Sequence, residues 1–311
     1  MQTLAAGVSY LDLNFLGQPG VVAAAVLQSA AGVAIVDPGP SSTLPVLRLA
    51  LEKAGIAMSE VGALLLTHIH LDHAGAAGVL VAENPTLRVY VHESGARHLV
   101  DPGKLVASAT RLYGDAMDEL WGAVRPVPAS AIEVLRGGER IQAGGRSLDV
   151  AYTPGHASHH VSYFSSDTGI AFVGDTAGVR LQPHGYVLPP TPPPDIDLER
   201  WRESLARLAA WAPDTLFLTH FGPASPSTAH LMECGEQLER VALLVHRSLT
   251  EIEDGGVEVG EDADREAWFA QQLMRELRQR VSEEGARAYE TAGRFDLNWR
   301  GLARYWRKRS S

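Results

Sequence analysis

Apolar and polar positions change their spacing several times along the chain, and each change marks an element. Val21 to Leu27 and Val33 to Val36 are nearly unbroken runs of Val, Ala, Ile and Leu on either side of Ser29-Ala30-Ala31-Gly32, which predicts a β-hairpin. The second run stops at Asp37-Pro38-Gly39-Pro40, a rigid loop sequence. From Leu44 to Ala54 the apolar residues take helical spacing, closed by Gly55, and Ala63 to Leu66 is short and wholly apolar, as a buried strand requires. A small-residue helix from about Ala74 to Ala82, a strand from Arg88 to Val91 and one helical stretch from about Ser94 to Leu120 follow.

The same alternation continues with strands at Leu148 to Tyr152, Val161 to Phe164, Ile170 to Val173 and Thr215 to Leu218, and a helix from about Leu198 to Trp211. Strands mixed with helices and hairpins make this an α/β chain. Leu65-Leu66-Thr67-His68 and Phe217-Leu218-Thr219-His220 echo one another, so two halves of one sandwich would each deliver a histidine from a strand end. Pro189-Pro190-Thr191-Pro192-Pro193-Pro194 fits neither helix nor central strand and reads as an extended segment, either a linker or a wall over the site. From Pro226 onward the periodicity is helical throughout, which divides the chain into residues 1–225 and a helical extension over 226–311 packed on them. The tail gathers Arg300, Arg304, Arg307, Lys308 and Arg309 beside Trp299, Tyr305 and Trp306. A solvated amphipathic helix is the simplest account of it; a dimer surface or a contact to an anionic substrate is the other.

Composition narrows the function. A net charge of −10 over 311 residues opposes binding of a polyanion, so a small-molecule substrate is expected, with neither nucleic acid nor membrane as partner. The single cysteine, Cys234, excludes an internal disulfide and a thiolate cluster, so any metal is held by His and carboxylate groups. Asp12, Asn14, Gly17 and Pro19 interrupt the first apolar stretch, which reads as a protein that is not exported and stays in the cytoplasm. A homo-oligomer is compatible with all of this.

Thr67-His68-Ile69-His70-Leu71-Asp72-His73-Ala74-Gly75 carries the strongest chemical signal. Residues two apart in an extended segment point the same way, so His68 and His70 can meet at one ion directly after a strand. Asp72 and His73 fall where the chain turns into the next helix and can face a second ion, with Asp72 also placed as that helix's N-cap. Each half-site needs further ligands. His156 in Thr153-Pro154-Gly155-His156, Asp175 after Phe172-Val173-Gly174, and His220 after Phe217-Leu218-Thr219 all stand at strand-to-loop junctions, and a carboxylate such as Asp175 can bridge two cations.

An HxHxDH stretch, then PGH, then GD, then LTH, in this order over roughly the first 225 residues, resembles the metallo-β-lactamase superfamily, and within it the branch of glyoxalase II and the lactonases. The resemblance implies a four-layered αβ/βα sandwich with the site at one sheet edge. It places His68, His70 and His156 on one metal, Asp72, His73 and His220 on a second, and Asp175 between them. It also puts His160, four places after His156, in a supporting role. Asp37 matches a position near the site, where it either stiffens the loop or supports a ligand. His159 and His184 are weaker candidates; His92, His98, His230 and His246 read as ordinary surface or helix residues.

The expected cofactors are two metal ions, zinc foremost, with iron or manganese compatible. A water bound to such a metal ionises near neutral pH, so it can attack a carbonyl without a Ser or Cys nucleophile, and no G-x-S-x-G elbow is present. The function implied is hydrolysis of an ester, thioester or lactone, with Asp72 passing a proton to the leaving group. Tyr186, in the loop after Asp175, is either a hydrogen-bond donor to substrate or a packed loop residue. The rival readings are a mononuclear-iron oxidoreductase such as a persulfide dioxygenase, and a phosphodiesterase or β-lactamase.

Overall fold

The computed structural model of the chain describes residues 1–181, 185–250 and 261–309. Strands β1 (Gln2–Ala5) and β2 (Val8–Asp12) pair antiparallel, and β2 continues onto the hairpin of β3 (Ala23–Ser29) and β4 (Gly32–Val36). Helix α1 (Leu44–Lys53) crosses to β5 (Val61–Leu65). Helices α2 (Leu71–Ala74) and α3 (Ala77–Glu83) lead to β6 (Arg88–His92), and α4 (Glu93–Val100), α5 (Gly103–Tyr113) and α6 (Met117–Trp121) lead to β7 (Ile132–Leu135). Strands β4 to β7 pair in parallel, so this seven-stranded sheet follows chain order, antiparallel first and parallel after.

The second sheet holds β8 (Arg140–Ala143), β9 (Arg146–Tyr152), β10 (Val161–Ser165), β11 (Ile170–Phe172), β12 (Thr215–Leu218) and β13 (Gly222–Ala224), with α7 (Leu198–Ala210) as the crossover between the parallel pair β11 and β12. Helices α8 (Ser227–Thr250), α9 (Asp262–Arg280), α10 (Glu283–Gly293) and α11 (Phe295–Arg309) complete the described chain.

Strand alternation builds the layers. In β3, Ala23, Ala25 and Leu27 face the second sheet and meet Leu148, Val150, Tyr163, Phe172 and Phe217 in the central core. The intervening Ala24 and Val26 face outward, under Leu47 and Leu51 of α1 and Leu80 of α3. On the far side, Ala171, Leu216 and Leu218 pack under Trp201 and Leu205 of α7, and this core runs on without interruption through Leu238 of α8, Phe269 of α9, Tyr289 of α10 and Trp299 of α11. The result is the expected αβ/βα sandwich with carboxy-terminal helices laid on its second sheet. No helix of the described residues is long and apolar enough to cross a membrane.

The structure departs from the sequence expectations locally. The stretch from Ser94 to Leu120 is three helices, because Asp101-Pro102 and Gly114 interrupt it. Asp72 is not an N-cap: α2 begins at Leu71, His70 stands at the cap position, and Asp72 lies inside the first turn. Strands β1, β2, β7, β8 and β13, unforeseen, are short, and β1 and β8 carry charged or polar residues on exposed positions.

Candidate metal centre

The loops after β5, β9, β11 and β12 bring all seven donor residues to one edge of the two sheets. His68 Nε2 and His156 Nε2 each lie 3.0 Å from His70 Nδ1. The other ring nitrogens are engaged, His68 Nδ1 with the Thr67 hydroxyl at 3.1 Å and His156 Nδ1 with the Pro190 carbonyl at 2.8 Å. With protons on those outer nitrogens, three lone pairs converge on one point. Beside them, His73 Nε2 lies 3.3 Å from Asp175 Oδ1, and His220 Nε2 lies 3.3 Å from Asp72 Oδ2 and 3.6 Å from Asp175 Oδ1. Asp175 Oδ2 faces the first group instead, 3.3 Å from His156 Nε2. One carboxylate thus turns one oxygen to each cluster.

Two atoms here are buried without a hydrogen-bond partner among the described residues, His73 Nε2 and Asp175 Oδ1. Orphaned polar atoms in a protein interior cost about 1–3 kcal/mol each. Converging lone pairs and orphaned acceptors together fit cations, and a set of nitrogen and oxygen donors without thiolate suits zinc, iron or manganese. The electrostatics agree. Burial, reinforced by the neighbouring His73 and His70 rings, pushes His68 well below the ordinary histidine range, and burial beside His156 lowers His70 to about 4. Burial also acts against charge on His73, but the carboxylates of Asp175, Asp72 and Asp37 outweigh it and raise that ring well above its ordinary value. Burial opposes ionisation of Asp72, yet His73 and His220 hold its carboxyl well below the usual range. The second cluster therefore attracts positive charge.

Supporting contacts hold each ring in place. Asp37, fully buried with φ at +48°, accepts four hydrogen bonds: from the Thr67 amide at 2.8 Å, the Thr67 hydroxyl at 2.7 Å, the Thr219 hydroxyl at 2.8 Å and His73 Nδ1 at 2.8 Å. The Leu-Thr-His echo acquires a physical meaning, since both threonines bind the same carboxylate. His220 Nδ1 is held by the Val21 carbonyl at 2.7 Å. His160 Nε2 accepts the Asp175 amide at 3.3 Å while its Nδ1 faces the Thr153 hydroxyl at 3.0 Å, so His160 orients the loop that presents Asp175. Gly174 is required beside it: φ is +47°, and a Cβ there would lie 2.5 Å from Thr67 Oγ1 and 2.6 Å from His160 Nε2.

The clusters open into a cleft of about 560 Å³. His70 and Asp72 are the partly exposed members of the set. The proline segment forms one wall through Pro190 and Pro192 to Pro194, which decides between linker and wall; Gly293, Arg294 and Asn298 at the α10–α11 junction form another. The third wall comes from α4, α5 and α6, and sequence reasoning missed it. Its signal was present, since Arg97, Lys104 and Arg111 interrupt an apolar helical stretch in an acidic chain. His98 also lines the cleft rather than the outer surface, and His159 lines it with Nδ1 accepting the Ile69 amide at 3.4 Å.

Of the two expectations for Tyr186, the structure shows the packed loop residue. It is 3% exposed in the core beneath α8, its hydroxyl bound to Gln237 at 3.1 Å and to Arg240, and it does not line the cleft, because the loop after Asp175 turns its side chain into the helical layer. The tail cations do not reach the cleft either; Arg300, Arg307 and Arg309 pair with Glu266, Asp262 and Glu199. His184 lies outside the described residues.

Comparison with known proteins agrees with this geometry. The family model of the metallo-beta-lactamase superfamily matches residues 17–220. A metallo-beta-lactamase fold-containing protein of Sulfurisphaera tokodaii is 32% identical over 166 residues, 52% of this chain and 61% of that protein. A hydroxyacylglutathione hydrolase of Aeromonas hydrophila is 31% identical over 185 residues, 58% of this chain and 54% of that protein. The chain therefore spans somewhat over half the length of the curated relatives it matches. In three dimensions it is similar to a metallo-beta-lactamase family protein of Thermus thermophilus, with a TM-score of 0.69 at 23% identity over 99% of this chain and 95% of that one, a likeness of fold. With the match running from ahead of β3 to His220, the last donor of the site, the chain belongs to the metallo-beta-lactamase superfamily.

Proposed function

We propose that the protein is a dinuclear metal-dependent hydrolase of an ester, thioester or lactone. The observation that carries this reading is the Asp175 carboxylate, which offers Oδ2 to the His156 side and a buried, unpartnered Oδ1 to His73 and His220. His68, His70 and His156 would hold one ion, Asp72, His73 and His220 the other, and Asp175 would bridge. Bound there, such ions activate a water and polarise a carbonyl at neutral pH. The chain's own groups do the rest. Asp72, ionised and partly open to the cleft, can take a proton from the attacking water at its carboxylate and return it to the departing alkoxide or thiolate. His159, whose Nδ1 accepts a backbone amide, keeps its proton on Nε2 as a donor for the substrate.

The size of the cleft suits a small molecule, and the acidic chain disfavours nucleic acid. Relatives named hydroxyacylglutathione hydrolase make acyl transfer to water the first chemistry to test. Zinc is the metal we expect, in a cytoplasmic enzyme. Protein purified without chelator should carry about two equivalents of transition metal and should turn over members of a panel of thioesters, lactones and phosphodiesters. Asp175→Ala should lose both metal and turnover. One equivalent of iron with oxygen uptake on a persulfide would replace this reading with an oxidoreductase; activity confined to phosphodiesters would replace its substrate.

A further inference from the structure

The cleft inverts the charge of the molecule. The chain has 27 Lys and Arg against 37 Asp and Glu, yet outside the donor cluster the cleft walls present Arg97, Lys104, Arg111 and Arg294 against one carboxylate, Asp195. Arg294 is already engaged, paired with Asp296 at 2.7 Å and lying over the Tyr113 ring at 5.3 Å. The other three have no carboxylate partner among the described residues. Arg97 donates to His98 Nε2 at 3.2 Å, and among the described residues Arg97, Lys104 and Arg111 make no ion pair, whereas Arg88, Arg136 and Arg202 on the outer surface each pair with a glutamate.

Helix geometry arranges these groups. Lys104, Ser108 and Arg111 stand at i, i+4 and i+7 of α5, and Leu105, Ala109 and Leu112 repeat the same spacing one residue on, so two adjacent stripes, one basic and one apolar, run along the helix where it lines the cleft. Arg97 and His98 on α4 adjoin the basic stripe: burial first, then the charges of Arg97 and Lys104, lower the His98 ring below its ordinary value. Two further residues of the lining hold buried donors without a partner among the described residues: the Trp121 indole nitrogen on α6, and Nδ2 of Asn298 on α11, whose Oδ1 accepts the Thr191 amide at 2.7 Å. Cations without a carboxylate partner call for an acceptor-rich anion, and the half-buried Leu105 and Leu112 beside them offer apolar contact to the segment that carries it.

We propose that the substrate bears a second, anionic group, a carboxylate or a phosphate, joined by an apolar segment to the carbonyl that is cleaved, and that Lys104, Ser108 and Arg111, with Arg97, bind that anion. The inference rests on the hydrolase reading above. Specificity then resides in α4 and α5, and a neutral acyl compound of the same length is a poor substrate because it leaves the basic stripe unpaired.

Three p-nitrophenyl esters of matched length test it on the metal-loaded protein: the pentanoate, the hydrogen glutarate and the 4-phosphonobutanoate. The readout is the ratio of kcat/KM for each charged ester to that of the pentanoate, taken within one preparation. In the wild type at least one ratio should be roughly tenfold or more, the worth of a charge-assisted hydrogen bond; the larger of the two identifies carboxylate or phosphate. In Lys104→Glu/Arg111→Glu that ratio should fall below one, with metal content retained. Both positions are exposed on α5, and Lys104→Gln/Arg111→Gln serves as the milder pair if charge reversal perturbs the helix. Ratios near one in the wild type, or ratios the variants do not move, overturn the inference while leaving the hydrolase reading intact. If none of the three esters is cleaved, the thioester and lactone panel decides the hydrolase reading, and calorimetric titration with the corresponding anilides decides the inference separately. Tighter binding of a charged anilide by the wild type, lost in the variants, supports the anion site, and equal affinities reject it.

Discussion

Asp37 shows how much one buried carboxylate organises. It touches neither cleft nor any proposed cation, yet it receives His73 and both threonines of the Leu-Thr-His pair, and so ties the ends of β5 and β12 to one point. Asp37→Asn keeps the shape but replaces one acceptor oxygen with a donor, setting an N–H against at least one of these donors. Whichever way the amide turns, either His73 and the two threonine hydroxyls or the Thr67 amide that opens the ligand loop loses its acceptor, and the neutral amide supports the His73 ring less strongly than the carboxylate. Metal affinity should drop about 10- to 100-fold, the usual cost of removing such a support, as read by competition with a chromogenic chelator at unchanged circular dichroism. Undiminished affinity would show that His73 is held by packing alone. The turn at Asp37-Pro38-Gly39 was legible in the sequence as a rigid loop. Its hydrogen-bond partners were not, because Thr67 and Thr219 lie 30 and 182 residues away.

At the scale of elements, the long apolar runs read cleanly and the edges did not. β3, β5 and β12 are buried and rich in apolar residues, so their periodicity exposes them; β7 and β8 are four residues each, and β8 carries Arg140 and Gln142 on exposed positions, so they are too short for periodicity to separate them from loop. The joint between α8 and the sandwich carries its own titrating group. His230 is buried in the first turns of α8, its Nε2 donating to the Ala177 carbonyl at 2.8 Å, and burial lowers its pKa to about 4. The unfolded ring has a pKa near 6.5, so the unfolded chain takes up the proton first as pH falls. The stability from this site is whole above about pH 6.5 and is lost as pH falls from there toward 4, a loss that approaches an order of 3 kcal/mol. His230→Gln keeps a donor for Ala177 and removes the titration. Urea unfolding at pH 7 and pH 4.5 should therefore give a smaller acid loss for the variant than for the wild type, in which the other histidines titrate alike. An equal loss in both would exclude His230 as a source of acid lability.

The whole molecule is two sheets that meet at the donor cluster. His68, His70, Asp72 and His73 belong to the first, His156, Asp175 and His220 to the second, so ions bound between them would cross-link the sandwich. Binding to the folded state alone adds about 4 kcal/mol at a thousandfold excess over Kd, which corresponds to a rise in Tm on the order of 10 °C. Calorimetry with and without chelator, followed by readdition of zinc, should show that shift and its recovery. A Tm indifferent to chelator in protein shown to have lost its metal would mean that the sheets are held by their apolar core without help from the site.

The order of HxHxDH, PGH, GD and LTH determined the family and hence the sandwich, because a ligand set depends on residue type and on strand ends, and both are local. Placement was a different matter. Which carboxylate oxygen faces which histidines, the closure of the cleft by the proline segment and the α10–α11 junction, the withdrawal of Tyr186 into the helical layer, and the basic stripe of α5 turned toward the donor cluster all depend on contacts between residues far apart in the chain. Periodicity shows that an element has two faces; only packing against the rest of the molecule selects the face that meets the substrate.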